Sequence, residues 1–141
     1  MIKPSQGRPC SRSVRGLLAI VAIAVSLSTV GCAPSKPALP NGIACNWNIS
    51  QGSGGFYVGW WQLLINYWEY SDHIAATPLV VDSSFGPATQ AATTSFESWN
   101  NAHPKLANNG QPLTVYVDGK VIWIDWDAMS KQLGGSGCNH G

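Results

Sequence analysis

Three histidines, seven carboxylates and four cysteines are the residues of this 141-residue chain whose types suit covalent or metal chemistry. His73, His103 and His140, with Asp72, Asp125 and Asp127, have the donor atoms that zinc takes. Their spacing matches no ligand motif, and each histidine falls in a predicted loop or tail. There is no Gly-x-Ser-x-Gly elbow and no free Cys beside a His. Glu69 and Glu97 fall on different predicted helices, and nothing sets them as an acid and base across a bond. The expectation is therefore a non-catalytic protein with no metal and no cofactor; a small metal-dependent hydrolase is the less favoured alternative. What remains is recognition chemistry. Gln62, Asn66 and Glu69 recur at i, i+4 and i+7, a narrow polar stripe on an otherwise apolar segment, with Trp60 off the main apolar line.

Residues 57–70 (YVGWWQLLINYWEY) hold no Pro and place Val58, Trp61, Ile65 and Trp68 at helical spacing. A helix apolar nearly all round is a buried one, so this is the expected central helix of a small bundle. Pro87 can open a second helix, because its fixed φ suits the first turn and its missing N–H is not needed there. That helix is expected to run to about Asn100, with Ala88, Ala92, Phe96 and Trp99 as its buried face. Leu113, Val115 and Val117 alternate ahead of Asp118-Gly119, a hairpin signal for residues 113–124. Asp125 can then cap a third helix over 126–133. The fold class expected is mainly α: a three-helix bundle with a short β-hairpin around 113–124.

The amino-terminal stretch reads as an address. Lys3, Arg8, Arg12 and Arg15 precede an apolar run, LLAIVAIAVSLSTV over 17–30, in the pattern of a secretory signal over residues 1–31. That run is too short for a membrane span, which needs about 20 residues. Thr29-Val30-Gly31-Cys32-Ala33 resembles the bacterial lipoprotein box, apart from Thr29, and makes Cys32 the lipidation candidate. Ordinary cleavage after Ser35 is the alternative. Residues 32–49 then form a tether, with Pro34, Pro37 and Pro40 keeping it extended, and residues 50–141 form the domain. Cys10 leaves with the signal, so Cys45 and Cys138 remain to pair in an oxidising compartment. A loop of about 94 residues closed this way is worth at most about 4–5 kcal/mol. Beyond residue 31 the chain has four Lys, no Arg and seven carboxylates, a net charge of −3. Without clustered basic residues it is a poor nucleic-acid binder. The expected location is extracytoplasmic, with membrane contact only through a lipid on Cys32.

A faint internal repeat is present. Val81-Asp82-Ser83-Ser84-Phe85 and Val117-Asp118-Gly119-Lys120-Val121 align at an offset of 36, each ahead of a predicted helix. Val58-x-x-Trp61-Gln62-x-Leu64-Ile65-Asn66 resembles the opening helix of the bacterial peptidoglycan-binding domain family. Val81-Asp82-x-x-Phe85-Gly86-Pro87-x-Thr89-x-x-Ala92-x-x-x-Phe96 resembles that family's second signature, and Val117 to Met129, with Trp126, its closing turn and helix. The likeness covers residues 55–133. Ser83 departs from it, standing where the family has Gly after Asp, and Ile122-Trp123 replace a second Gly-Pro.

The resemblance implies a three-helix fold and a non-catalytic grip on the cell wall by a monomeric, exported protein. Peptidoglycan offers sugar faces, N-acetyl groups, amides and carboxylates, which a groove with a few polar groups and an aromatic platform suits. Gln62 and Asn66 are the candidates for amide contacts, Asp82 and Ser84 for hydroxyl or N–H contacts, and Phe85 or Trp60 for stacking. At three positions a structural role is the favoured expectation: Asp82 closing its own turn, Phe85 plugging the core and Thr89 capping. Replacing Gln62 and Asn66 by Ala is expected to abolish wall binding with the fold intact. The alternative function is an extracytoplasmic protein–protein interaction module on the same fold.

Overall fold

Glycine and proline punctuate the helices of the computed structural model, which describes residues 33–40 and 44–138. The signal segment, the lipidation candidate Cys32 and His140 lie outside the described residues. Gly55, at φ 102°, leads into helix α1, Phe56–Ser71. Pro87 sits in the first turn of α2, Pro87–Ala102. Helix α3, Trp123–Gln132, starts three residues earlier than its sequence pattern suggests. Asp125 lies inside its first turn, and the Asp125 Oδ2 accepts the Ile122 N–H at 2.8 Å, satisfying a donor that a helix start leaves open. A short 3-10 turn, Ala44–Asn46, precedes them. The fold is mainly α, with isolated β-bridges and no strands among the described residues.

The core is aromatic. Trp61 meets Phe96 at 5.7 Å and Trp126 at 5.0 Å between ring centroids, and Trp68 meets Phe96 at 5.2 Å, all edge to face. That geometry brings a ring's positive edge to its neighbour's negative face, worth about 0.5–1.5 kcal/mol a pair beyond area burial. The buried indole N–H groups of Trp61 and Trp126 donate to Thr93 Oγ1 and the Trp47 carbonyl. The face that α2 buries is rotated from the expected one. Thr89, Thr93, Phe96, Glu97 and Asn100 point inward, whereas Ala88 is exposed and Ala92 and Trp99 are half-buried. The polar residues win because each finds a hydrogen-bond partner inside. A search for apolar periodicity cannot register such partners.

The expected hairpin is absent. Asn101 takes both backbone groups of Val115, and Glu97 takes the N–H groups of Asp118 and Gly119. Val121 pairs with Ile49 instead of with its own neighbours, at 2.9 and 2.8 Å. The backbone groups that a hairpin ladder needs are already spent.

The suspected repeat is real and reaches into the hydrogen bonds. Asp82 Oδ1 accepts the Ser84 N–H, as Asp118 Oδ1 accepts that of Lys120. Gln62 Oε1 accepts the Ser83 N–H, as Glu97 Oε2 accepts that of Gly119. Ser83 and Gly119 share the left-handed conformation, φ 60° and 69°. Phe85 and Val121, three residues after each Asp, are both buried. A Cβ at Gly119 would lie 2.8 Å from the Gln90 side chain, so glycine serves there for space as well as for φ. The segment 49–55 stitches the two turns together through Ile49–Val121 and Gly55–Ser83 backbone bonds.

Cys45 and Cys138 form a disulfide with Cα atoms 6.1 Å apart. This bond is compatible with an extracytoplasmic location. No helix among the described residues is long and apolar enough to cross a membrane. The compact unit that carries the helices begins at Ser35, so most of the expected tether belongs to it. Lys36 Nζ donates to the Leu133 carbonyl, Ser130 Oγ to that of Pro40, and Trp60 Nε1 to that of Ala38. Ala33 and Pro34 fall in a separate unit and are exposed.

Candidate functional site

The turn 80–84 is the centre of the site, and Gln62 builds it. This side chain is 1% exposed. Its amide N–H groups lie within bonding distance of Asp82 Oδ1 (2.9 Å), the Ser84 carbonyl (3.0 Å) and Thr89 Oγ1 (3.1 Å), while its oxygen takes the Ser83 N–H. One turn further along α1, Asn66 accepts the Leu79 N–H at 2.7 Å and donates to the Leu79 carbonyl at 2.9 Å. Gln62 and Asn66 of the polar stripe therefore face the 79–84 segment, and their amides are used within the protein. Replacement of Gln62 or Asn66 by Ala is not fold-neutral on this geometry. Loss of Gln62 would leave the buried Thr89 hydroxyl and the half-buried Ser83 N–H without its amide, and loss of Asn66 both backbone groups of the half-buried Leu79.

Two concave surfaces flank the turn. One, about 390 Å³, is lined by Leu79, Val80, Asp82, Ser84, Pro87 and Thr89 among others. Asp82 and Ser84 are exposed there. The Gln62 amide first, then the Ser84 N–H, hold the Asp82 carboxyl below its ordinary value. It is therefore a standing anion that accepts hydrogen bonds. The other groove, about 480 Å³, is lined by Pro37, Ala38, Phe56, Trp60, Leu63 and Val81, with Gly59 and Ser83 at its floor. Phe56 is 72% exposed and lies 5.7 Å from the half-buried Trp60. A Cβ at Gly59 would meet Ser83 Oγ at 2.6 Å, so this glycine lets the turn lie against α1.

The sequence candidates thus separate. Trp60 lines one groove, and Asp82 and Ser84 line the other, where they stand among apolar residues such as Leu79, Val80 and Pro87. Gln62 also lines the second groove. Phe85 does not offer a stacking face: it is 1% exposed and belongs to the core, a correction that follows from its place after the Asp-anchored turn. Thr89 is buried and accepts from Gln62. Sequence reasoning missed Phe56, Leu63 and the docked segment 37–38. Phe56 stands one helical turn before Trp60, a spacing that was legible; the docking of 37–38 leaves no local signal.

Among the described residues, those weighed as metal donors do not assemble. No group of three or more His, Cys, Asp or Glu among the described residues is arranged to hold an ion. His103 stacks on Trp99 at 4.7 Å, and Asp127 accepts the Cys138 N–H. No protein-family model matches this sequence, and no match is found among curated proteins or solved structures.

Proposed function

We propose that this protein is an exported, non-catalytic binder of bacterial cell-wall peptidoglycan. The observation that carries the reading is the 80–84 turn, with a fixed carboxylate and an exposed serine on one flank and an aromatic-walled groove on the other. A glycan with amide-bearing branches has the complementary parts. Its hydroxyl and N–H groups donate to Asp82 and meet Ser84, while a sugar face or acetyl methyl lies against Phe56 and Trp60. The turn is preorganised by Gln62 and Asn66, so little ordering cost falls on binding. Export and a lipid on Cys32, followed by the short approach to Ser35, belong to the same proposal.

Sedimentation of the oxidised protein with purified, insoluble sacculi, at moderate and high salt, tests the reading. The expected result is recovery in the pellet at both salt levels, with Phe56→Ala moving to the supernatant. Full recovery of the unaltered protein in the supernatant overturns it. The aliphatic share of the apolar groove, Leu63 and Val81, instead favours a protein partner on the same surface. That reading gains if sacculi stripped of attached proteins lose binding while untreated ones keep it.

A further inference from the structure

The two half-repeats differ at one chemically decisive place. In the first, Gln62 presents an amide NH2 towards Asp82 Oδ1 and Thr89 Oγ1. In the second, the residue in that position is Glu97, 0% exposed, and the residue in the position of Thr89 is Asp125. Donor and hydroxyl are both replaced by carboxyls. Glu97 Oε2 is occupied by the Asp118 and Gly119 N–H groups at 3.0 and 2.9 Å, and Asp125 Oδ2 by the Ile122 N–H. The other oxygen of each, Glu97 Oε1 and Asp125 Oδ1, is buried with no hydrogen-bond partner. Two neighbouring buried carboxylates are costly to hold charged, since burial and like charge act in the same direction.

The remaining charges around the pair do not neutralise it. Asp118 and Asp125 are the charges that act on Glu97, and Asp118 is the one that acts on Asp125. Lys120 is the nearby cation of the turn, and it is spent on an exposed pairing with Asp118 at 3.9 Å. From α1 the neighbours of this stretch of α2 are Trp61 and Trp68, neither of which carries a charge.

We propose that Glu97 and Asp125 each take up a buried proton, and that this uptake latches the 117–122 turn between α2 and α3, making the domain tighter in mild acid and looser in alkali. Burial, first of all, lifts both carboxyls to about 7; the charges of Asp125 and Asp118 add to the rise at Glu97, and that of Asp118 at Asp125. The folded chain therefore holds more protons than the unfolded chain between the ordinary carboxyl range and about 7. Stability falls as pH rises through that window and levels off above it. Glu69, raised by its own burial on α1, adds a slope in the same direction, so the pair is read by comparing variants.

The experiment is thermal unfolding of the full, oxidised chain at pH 5 and pH 8, for the unaltered protein, Glu97→Gln and Asp125→Asn. The side-chain carboxyl carbons of the unaltered protein are titrated by NMR alongside. Glu97→Gln restores the amide that Gln62 supplies in the first half. It is expected to raise the midpoint at pH 8 and at least halve the fall seen between the two pH values. Asp125→Asn is expected to reduce that fall too. The Glu97 carboxyl resonance, with the Asp118 and Gly119 amides, should move with a midpoint near neutrality. A fall unchanged in both variants, or a Glu97 resonance titrating in the ordinary carboxylate range, overturns the proposal. If neither variant folds, the NMR midpoint decides alone.

Discussion

Asn66 and Asn101 perform the same act in the two halves of the molecule. Each accepts a backbone N–H and donates to the carbonyl of the same residue, Leu79 for one and Val115 for the other, at 2.7–2.9 Å. An extended segment has only its main chain to offer a helix, and a carboxamide is the side chain that matches both of its groups. These clamps fix where each connecting loop crosses its helix and so where each Asp-anchored turn lands.

Removal of these amides should therefore cost stability before it costs anything else. Gln62→Ala is expected to lower the free energy of unfolding by about 2–3 kcal/mol, because it leaves the Ser83 N–H and its acceptors unmatched. Asn66→Ala should cost about 1–3 kcal/mol on the same grounds. Urea unfolding at pH 7 measures both; an effect within a few tenths of a kcal/mol would show that water replaces the amides.

Ser83 holds a left-handed backbone, φ 60°, that a glycine would occupy without strain. Ser83→Gly is expected to stabilise by up to about 1 kcal/mol, the range set by the strain of that conformation. Ser83→Val should destabilise, since a branched side chain fits this region poorly and lies against Gly59. Comparing the unfolding midpoints of the two variants checks the order.

The Cys45–Cys138 bond spans 93 positions and closes nearly the whole domain. Cys45→Ser with Cys138→Ser is expected to cost about 2–5 kcal/mol. Adding a reductant to the unaltered protein should reproduce that loss, read as a lowered thermal midpoint. The double variant itself should not respond to reductant.

Phe56 is exposed, and among the described residues its ring contacts are with Tyr57 and Trp60. Phe56→Ala should leave the thermal midpoint within a degree or two while weakening ligand binding about tenfold, the loss expected of an aromatic anchor. Equal sacculus binding by the variant would remove this groove from the binding surface.

Much of the frame was legible in the sequence because its signals are local. Pro87 announces its helix, Trp61 and Trp68 recur on the apolar side of α1, and two cysteines remain once the leading ones are set aside. The misread parts depend on partners distant in the chain. Asp118-Gly119 has the composition of a hairpin turn, yet Glu97 claims its N–H groups and Asn101 claims the backbone of Val115 ahead of it. The inward face of α2 is largely polar, so hydrophobic periodicity selected Ala88 instead of Thr89. Gln62 was visible as a polar residue on a buried helix. Whether its amide meets a ligand or its own chain is a matter of tertiary contact.

The disulfide and the docked entry segment also set a load path. A pull arriving from the amino-terminal side first meets the Lys36–Leu133 and Pro40–Ser130 contacts, then divides at Cys45 between the onward chain and the covalent link to Cys138. Part of the tension is thus carried into α3 and its closing loop, with Trp60 of α1 also holding the segment at Ala38. A domain strapped this way resists being unravelled from its amino-terminal end.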